Sequence, residues 1–304
     1  MGDRIVDISE GAASLRVENR QLIVARKEQP PCSMPMDEIG VLVLGTSWLT
    51  LTQPVLATLS ECGGVAVICD NRCLPVSLLL PLYANTLHSQ RLRQQVSASL
   101  PTTKRLWAQV VEAKILSQAA VLRELRGDDC GLVMLATTVK SGDTSNVEGQ
   151  AARRYWQALF DDPDFRRQPQ DGPPPNHLLN YGYAILRAMM ARAIVASGLT
   201  VAYGLHHCNR ENPFCLADDL MEPFRPLIDR QVVKMVAQDG KGMDLDKEAK
   251  AQLLRPLLGR LEMAGEWRTV FDVLGCMSAN LAAIFAGEAT RLELPVDCTA
   301  LRLS

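Results

Sequence analysis

Signals for membranes and for export are absent from this chain of 304 residues. No apolar run reaches the roughly 20 residues that a membrane-spanning helix needs. The N-terminal stretch has no hydrophobic signal core, and it lacks the Ser or Thr that a myristoylation signal carries at its sixth position. We therefore expect a cytoplasmic protein without a membrane partner.

Paired cysteine motifs are also missing. The nine cysteines include no CxxC pair, and the closest two, Cys69 and Cys73, have no second pair with which to complete a zinc set. This usage is typical of reduced, mostly buried thiols. Cys208 and Cys215 flank two histidines, but the carboxylates nearby suit a harder ion than zinc.

An excess of charge of one sign is absent as well, since 32 basic and 34 acidic residues leave a net charge of −2 at pH 7. The chain thus has no overall basic signature of a nucleic-acid-binding protein, although local basic surfaces remain possible. No cysteine nucleophile and no Ser–His–Asp order is visible, which disfavours acyl transfer.

The spacing of apolar residues divides the chain into two parts. The beginning contains short β-rich runs, including a hairpin predicted around Asn19, and one short helix over residues 52–64. From about Leu87 the spacing becomes helical. It predicts helices over residues 102–125, 146–160, 178–198, 216–237, 246–263 and 266–287, with one further possible strand over 291–295. We expect an α+β protein: a small β-sheet domain over residues 1–84, then a larger all-α domain over 85–304.

The most informative segment is residues 204–226, where His206 and His207 precede Asp218, Asp219 and Glu222. The three acids lie in a predicted helix start. Spacings of three and four residues place them on one helix face. Imidazole and carboxylate together suit a divalent ion that must also bind an oxygen-rich substrate.

These residues also have simpler interpretations. Acids early in a helix favour the helix dipole without any metal, and Arg225 is then a surface ion-pair partner. Glu148 forms an S-x-x-E capping box with Ser145 in one interpretation. In the other, Glu148 faces the histidine and carboxylate segment. The residues alone leave both open.

Three motifs occur in order: residues 147–156, 179–188 and 204–226. Their order and spacing resemble the CRISPR adaptation integrases, the Cas-one family, and most closely those of type II systems. The resemblance covers most of the helical region. It implies a β-rich N-terminal domain that serves dimerisation and a helical, metal-dependent catalytic domain.

The resemblance also implies the site residues. Carried onto this chain, the metal ligands and catalytic residues are Glu148, His207 and Glu222. His206 is the alternative histidine or its supporting neighbour, and Asp219 supports the site. Arg225 contacts phosphate or orients the carboxylate. The expected cofactor is Mg²⁺ or Mn²⁺, with imidazole tilting the preference toward Mn²⁺.

The implied activity is the insertion of short foreign DNA fragments, called spacers, into a CRISPR array. A free 3′-hydroxyl attacks a phosphodiester of the repeat. The implied partners are both DNAs, a second copy of the chain and the small Cas-two protein. The candidate DNA contacts are Arg153, Asn180, Tyr183 and Arg187, with core packing as the alternative role for the tyrosine.

Two rival functions remain open. One is a metal-dependent phosphodiesterase or nuclease that does not integrate. The other is a helical DNA-binding scaffold whose acids only cap helices.

Overall fold

The strand-rich part comes first along the chain, as predicted. The computed structural model describes residues 2–71, 74–162, 164–169, 172–295 and 297–303. The early strands are β1 (Arg4–Ile8), β2 (Ala13–Glu18), β3 (Gln21–Arg26), β4 (Cys32–Pro35), β5 (Ile39–Leu44), β6 (Leu49–Leu51), β7 (Val65–Cys69) and β8 (Pro75–Leu79). The predicted α+β class, with a mainly helical part after the strands, is confirmed.

These eight strands form two sheets. One has the order β1-β5-β7-β8, with β8 antiparallel to β7 and the other pairs parallel. The other has the order β4-β3-β2-β6. The predicted hairpin is confirmed: β2 and β3 pair around Asn19 and Arg20, both with positive φ. Such angles match the twist of a two-residue hairpin turn.

Strand β5 shows how the first sheet connects two cores. Val41 and Val43 pack in the large core shared with the helices, whereas Leu42 and Leu44 pack in a smaller core with β2, β3 and helix α1 (Gln53–Glu61). Alternate side chains of a strand point to opposite faces of its sheet. Both faces of the sheet are therefore covered at β5, and this strand reads as an unbroken apolar run.

In the described residues of the helical part there are nine further α-helices. They are α2 (His88–Val96), α3 (Leu100–Arg126), α4 (Leu132–Ala136), α5 (Val147–Leu159), α6 (Asn176–Ala196), α7 (Cys215–Met221), α8 (Arg225–Asp239), α9 (Lys247–Leu254) and α10 (Val270–Ala286). A short 3₁₀ segment, Glu222–Phe224, joins α7 directly to α8. In the described part of the chain, no helix combines the length and the apolar character that crossing a membrane requires.

Helix α3 has clear start and stop signals. The Ser99 hydroxyl accepts a hydrogen bond from the Thr102 amide, Pro101 lies in the first turn, and Gly127 ends the helix with φ of 80°. Pro at the start and a left-handed glycine at the end are the usual helix boundaries. The long helix that results carries one face of the candidate site.

The prediction of a wholly helical C-terminal part is wrong in one place. A hairpin of β9 (Arg260–Met263) and β10 (Glu266–Thr269) lies between α9 and α10, where the sequence predicted the end of one helix and the start of another. Its tight turn has two residues with positive φ, Ala264 and Gly265. Alternation of buried Leu261 and Met263 with polar neighbours is strand periodicity.

The possible strand over residues 291–295 is also wrong. Two of its amides donate to side chains: Leu292 to Gln109 (3.0 Å) and Glu293 to Asn280 (3.0 Å). These bonds fasten the segment to helices α3 and α10, and no strand ladder forms there in the described residues.

Candidate active site

Two predicted ligands converge on a residue that the sequence did not single out. The ammonium of Lys114, on α3, lies 2.6 Å from Glu148 Oε1 and 2.6 Å from Glu222 Oε2. Glu148 stands in the first turn of α5, and Glu222 opens the 3₁₀ segment between α7 and α8. Three helical elements thus bring two carboxylates to one cation.

The capping-box interpretation of Glu148 is wrong. The N-cap of α5 is Asn146, whose Oδ1 accepts the Gly149 amide at 3.1 Å. The Asp143 carboxylate accepts the amides of Val147 (2.8 Å) and Glu148 (3.0 Å). Because these side chains satisfy the helix start, the carboxylate of Glu148 is left to reach Lys114.

Glu222 is buried between two cations. Its other oxygen, Oε1, lies 3.1 Å from Arg225 Nη2, and the residue is only 4% exposed. Burial alone raises the pKa of Glu222, but the charges of Arg225 and Lys114 outweigh it and hold this pKa below its ordinary value. Burial lowers the pKa of Lys114, and the charges of Glu222 and Glu148 more than reverse that effect. Both groups are therefore ionised at neutral pH.

His207 is oriented by Asp219. Its Nδ1 is hydrogen bonded to the fully buried Asp219 carboxylate, which also accepts the amides of Leu205 (2.6 Å) and His206 (2.9 Å). This bond raises the pKa of His207; burial opposes it, and the charges of Asp219, Glu222 and Glu148 add to it. Asp219 thus fixes the loop before α7 by accepting its amides. Because Nδ1 of His207 is engaged, Nε2 is the ring nitrogen that can bind another partner.

His206 has a different environment from its neighbour. Its ring stacks on Trp107 with centroids 4.5 Å apart and planes 3° apart. The His207 ring meets the same indole edge-on at 5.6 Å. A buried tryptophan on α3 therefore holds both histidines, and this geometry favours His207 over His206 as the ligand.

The remaining acid of the segment is paired. Asp218 lies 2.6 Å from Arg187 Nε and accepts the Asn212 side-chain amide at 2.8 Å. Arg187 thereby orders the loop between α6 and α7. It keeps part of its side chain exposed.

The other predicted DNA contacts lie on α5 and α6. Tyr183 is buried, and its hydroxyl donates to Asp229. Its ring lies 4.9 Å from the Arg225 guanidinium. Asn180 is half-buried on the same helix, and Arg153 is exposed on α5. Their roles toward DNA stay predictions.

A cleft of about 780 Å³ opens beside the histidines. Its walls come from the start of α3 and the loop between α6 and α7, with Leu100, Tyr203, His206, His207 and Arg210 among its lining residues. The cleft gives the exposed edge of His207 access to a large ligand.

The donor chemistry fits a hard divalent ion. Carboxylate oxygens from Glu148 and Glu222 already meet at one positive group, and His207 offers a nitrogen nearby. Among the described residues, no three His, Cys, Asp or Glu side chains are arranged as ligands of one ion. The point between the two carboxylates is taken by the Lys114 ammonium.

Sequence reasoning missed Lys114 and Trp107, although a signal existed. Trp107, Val111, Lys114 and Gln118 follow each other at spacings of four and three along α3. Trp107, Val111 and Gln118 are buried, and Lys114 is nearly so. A lysine on the apolar face of a helix needs a buried partner, which makes it a candidate for a functional site.

Comparison with known proteins identifies the family. The family model described as CRISPR associated protein Cas1 matches residues 7–257. A relative described as CRISPR-associated endonuclease Cas1, from Neisseria meningitidis serogroup C (strain 8013), is 34% identical over 292 residues and covers 94% of each chain.

Solved structures agree on the fold. A casposase bound to integration product superposes with a TM-score of 0.78 at 20% identity, covering 98% of this chain and 93% of that one. A chain of a Cas6-RT-Cas1–Cas2 complex gives 0.70 at 18% identity, covering 95% of this chain and 36% of that one. With the family model matching most of its length, this chain belongs to the Cas1 family of CRISPR-associated endonucleases.

Proposed function

We propose that this chain is a metal-dependent integrase that inserts short DNA fragments into a CRISPR array during adaptation. A free 3′-hydroxyl of the fragment attacks a phosphodiester of the repeat, and the 3′-oxygen of the broken strand leaves. The observation that carries this proposal is the convergence of Glu148 and Glu222 on one cation beside His207. The shared fold with a casposase bound to integration product supports it.

Glu148, Glu222 and Nε2 of His207 are the groups that would hold Mg²⁺ or Mn²⁺. When bound, such an ion offsets charge on the phosphate oxygens and lowers the pKa of the attacking hydroxyl. Asp219 keeps His207 in one orientation through Nδ1. Arg225 neutralises one oxygen of Glu222 and holds that carboxylate in place.

DNA is bound mainly through its phosphates, which position the duplex without reading its sequence. The cleft of about 780 Å³ beside His207 is the proposed place for a strand end, and Arg210 lines it. Arg153 and Arg187 are exposed or partly exposed cations on helices α5 and α6 and serve as further phosphate contacts. Asn180, half-buried on the helix that carries Arg187, is a further candidate contact, whereas the buried Tyr183 packs that helix against Asp229.

Partners are expected because a chain of net charge −2 has little overall attraction for DNA. We infer a homodimer that assembles with the small Cas2 protein, as the fold shared with a Cas6-RT-Cas1–Cas2 complex supports. Val76 on edge strand β8 and Leu82 and Tyr83 just after it are exposed by 63%, 82% and 93%. Exposed apolar side chains at a sheet edge favour an interface between subunits. The array lies in the cytoplasm, so the protein acts there.

The test separates integration from hydrolysis. Purified protein, with Cas2 and Mn²⁺, is given a labelled fragment that ends in a 3′-hydroxyl or a 3′-deoxy group, together with repeat DNA. Joining of the label to the repeat only with the 3′-hydroxyl is expected. Cleavage of the repeat at equal rates with both fragments overturns integration in favour of a nuclease. Joining by the Glu148→Gln protein would contradict the assigned site.

A further inference from the structure

The Lys114 ammonium is held by two carboxylates, as a bound metal ion would be. It makes two contacts of equal length, 2.6 Å, to carboxylates from different helices. Only 12% of the Lys114 side chain is exposed. Lysine carries a compact cation on a flexible stem. Arginine differs, because its planar guanidinium fixes the geometry of its partner.

The two cations beside Glu222, Lys114 and Arg225, are held differently. Arg225 meets Oε1 of Glu222 and also lies over the Tyr183 ring, so that an aromatic surface keeps it in place. Lys114 meets Oε2 of Glu222 and Oε1 of Glu148. The lysine therefore occupies the point between the carboxylates, while the arginine flanks only one of them.

Charge and distance prevent Lys114 and a divalent ion from occupying the point between Glu148 and Glu222 at the same time. Glu148 and Glu222 are balanced by Lys114 and Arg225, so this buried cluster is neutral as it stands. Magnesium binds carboxylate oxygen at about 2.0–2.1 Å, closer than the ammonium. An ion bound to the same two oxygens would lie at the ammonium position, and two cations that close repel each other strongly in a buried site.

We propose that Lys114 is a resident cation that competes with the divalent ion for Glu148 and Glu222 and leaves them when the ion binds. The released ammonium then pairs with a phosphate oxygen of the bound DNA. This inference rests on the proposed function, since it takes the metal site to lie at these carboxylates. It makes Lys114 a positioning residue that couples metal binding to DNA binding.

The coupling has a definite direction. Without DNA, the ion must displace Lys114 from its partners, so the metal affinity of the free protein is low. With DNA, a phosphate takes up the ammonium, so each ligand raises the affinity for the other by the same factor.

The experiment measures Mn²⁺ affinity by calorimetric titration of the full chain, without DNA and with a 3′-deoxy fragment that cannot react. We expect Lys114→Met to bind Mn²⁺ at least about tenfold more tightly than the natural protein, a difference of about 1.4 kcal/mol. We expect DNA to enhance Mn²⁺ binding in the natural protein. In Lys114→Met this enhancement should be absent. Unchanged or weaker Mn²⁺ binding by Lys114→Met overturns the proposal.

Two further variants guard the interpretation. Arg225→Met removes an equal charge from Glu222 without freeing the point between the carboxylates, and any gain in its Mn²⁺ affinity should be clearly smaller than that of Lys114→Met. An increase as large as that of Lys114→Met would show a general field effect and overturn the proposal. If Lys114→Met does not fold, Lys114→Arg decides: its stronger carboxylate contacts should weaken Mn²⁺ binding, and tighter binding overturns the idea.

Failure of the proposed function gives a different result. Glu222→Gln should lose Mn²⁺ binding whatever Lys114 does. If Glu222→Gln binds Mn²⁺ as the natural protein does, the metal site itself is misplaced. If Glu222→Gln fails to bind and Lys114→Met shows no gain, only the role of Lys114 is wrong.

Discussion

Two acidic clusters share helix α5 and the stretch from the 3₁₀ segment into α8, and they behave in opposite ways. The Glu222 cluster contains Glu148, Glu222, Lys114 and Arg225. The Asp229 cluster contains Asp229, Tyr155 and Tyr183. The same interval separates corresponding members of the two clusters: Tyr155 follows Glu148 by 155 − 148 = 7 residues, and Asp229 follows Glu222 by 229 − 222 = 7 residues. Seven residues are about two helical turns, so Glu148 and Tyr155 share a face of α5, whereas Glu222 lies in the 3₁₀ segment that leads into α8 and Asp229 lies within α8.

Their partners decide the difference. Glu222 faces an ammonium and a guanidinium, and its pKa is lowered despite burial. Asp229 faces two hydroxyls, and burial raises its pKa to about 7 although the hydrogen bonds from Tyr183 and Tyr155 oppose the rise. Burial of a carboxyl therefore yields a permanent anion only where full charges compensate it. The first cluster suits metal binding, and the second suits packing.

The largest expected effect tests this division of roles directly. Glu222→Gln should lower strand transfer by about 1,000-fold or more, because it removes a charged ligand from the reacting centre. Asp229→Asn, the same chemical change in the other cluster, should leave strand transfer within about threefold. Initial rates of joining with Cas2 and Mn²⁺ measure both. Equal losses in the two variants would end the distinction between the clusters.

The next effect concerns stability. Lys114→Met leaves the buried Glu222 and the partly exposed Glu148 without their shared cation, and we expect the free energy of unfolding to fall by about 3 kcal/mol. The control is Lys234→Met, which breaks the surface pair of Lys234 with Glu124 (2.7 Å) and should change that energy by at most about 1 kcal/mol. Urea unfolding at pH 7 gives both values. Similar losses would mean that burial adds nothing to the Lys114 contacts.

Dependence on pH should separate the clusters further. Because the folded-state pKa of Asp229 lies above its ordinary value of 3.8, its contribution to stability is complete below that value and is lost as pH rises toward and through 7. Between pH 4 and pH 7.5 this group should remove about 3–4 kcal/mol from the free energy of unfolding. Asp229→Asn should abolish that loss, as urea unfolding across this range would show.

Glu222 acts with the opposite sign. Its folded-state pKa is lowered, so its contribution is present above the ordinary value of 4.5 and is lost as pH falls. The pH profile of Asp229→Asn should therefore retain its fall on the acid side. A profile identical to that of the natural protein would refute the raised pKa of Asp229.

The smallest effect tests the hydroxyls. Tyr155→Phe removes a donor 3.0 Å from Asp229 but keeps the ring, and should lower the free energy of unfolding by about 1 kcal/mol. Tyr183→Phe should cost about the same, because the ring under Arg225 remains. Because each hydroxyl lowers the pKa of Asp229, each variant should also extend the pH-dependent loss of stability to higher pH. A gain in stability at pH 7 in either variant would contradict these assignments.

Local patterns were sufficient for much of the fold. The β2–β3 hairpin and the long helix α3 follow from turn residues, caps and periodicity within a few residues of each element. The hairpin of β9 and β10 was missed because two strands of four residues each carry too short an alternation to stand out beside strong helical patterns.

The candidate site was only partly readable in the same way. The segment over residues 204–226 offered two histidines and three acids, and the family resemblance chose His207, Asp219 and Glu222 among them; the structure places the first two in direct contact. Lys114 was missed because its partners are remote in sequence: Glu148 is 34 residues away, and Glu222 is 222 − 114 = 108 away. A local pattern carries no information about such contacts.

By itself, the sequence determined that a strand-rich part precedes a mainly helical part, which acids and histidines are available for chemistry, and the resemblance to a family. Only the tertiary structure decided which acid meets a cation and which meets a hydroxyl. The physical reason is that a carboxyl's charge state depends on its burial and on its nearest partners. Helices α3, α5, α6 and α8 bring those partners together, and their packing is not written in any single segment of the chain.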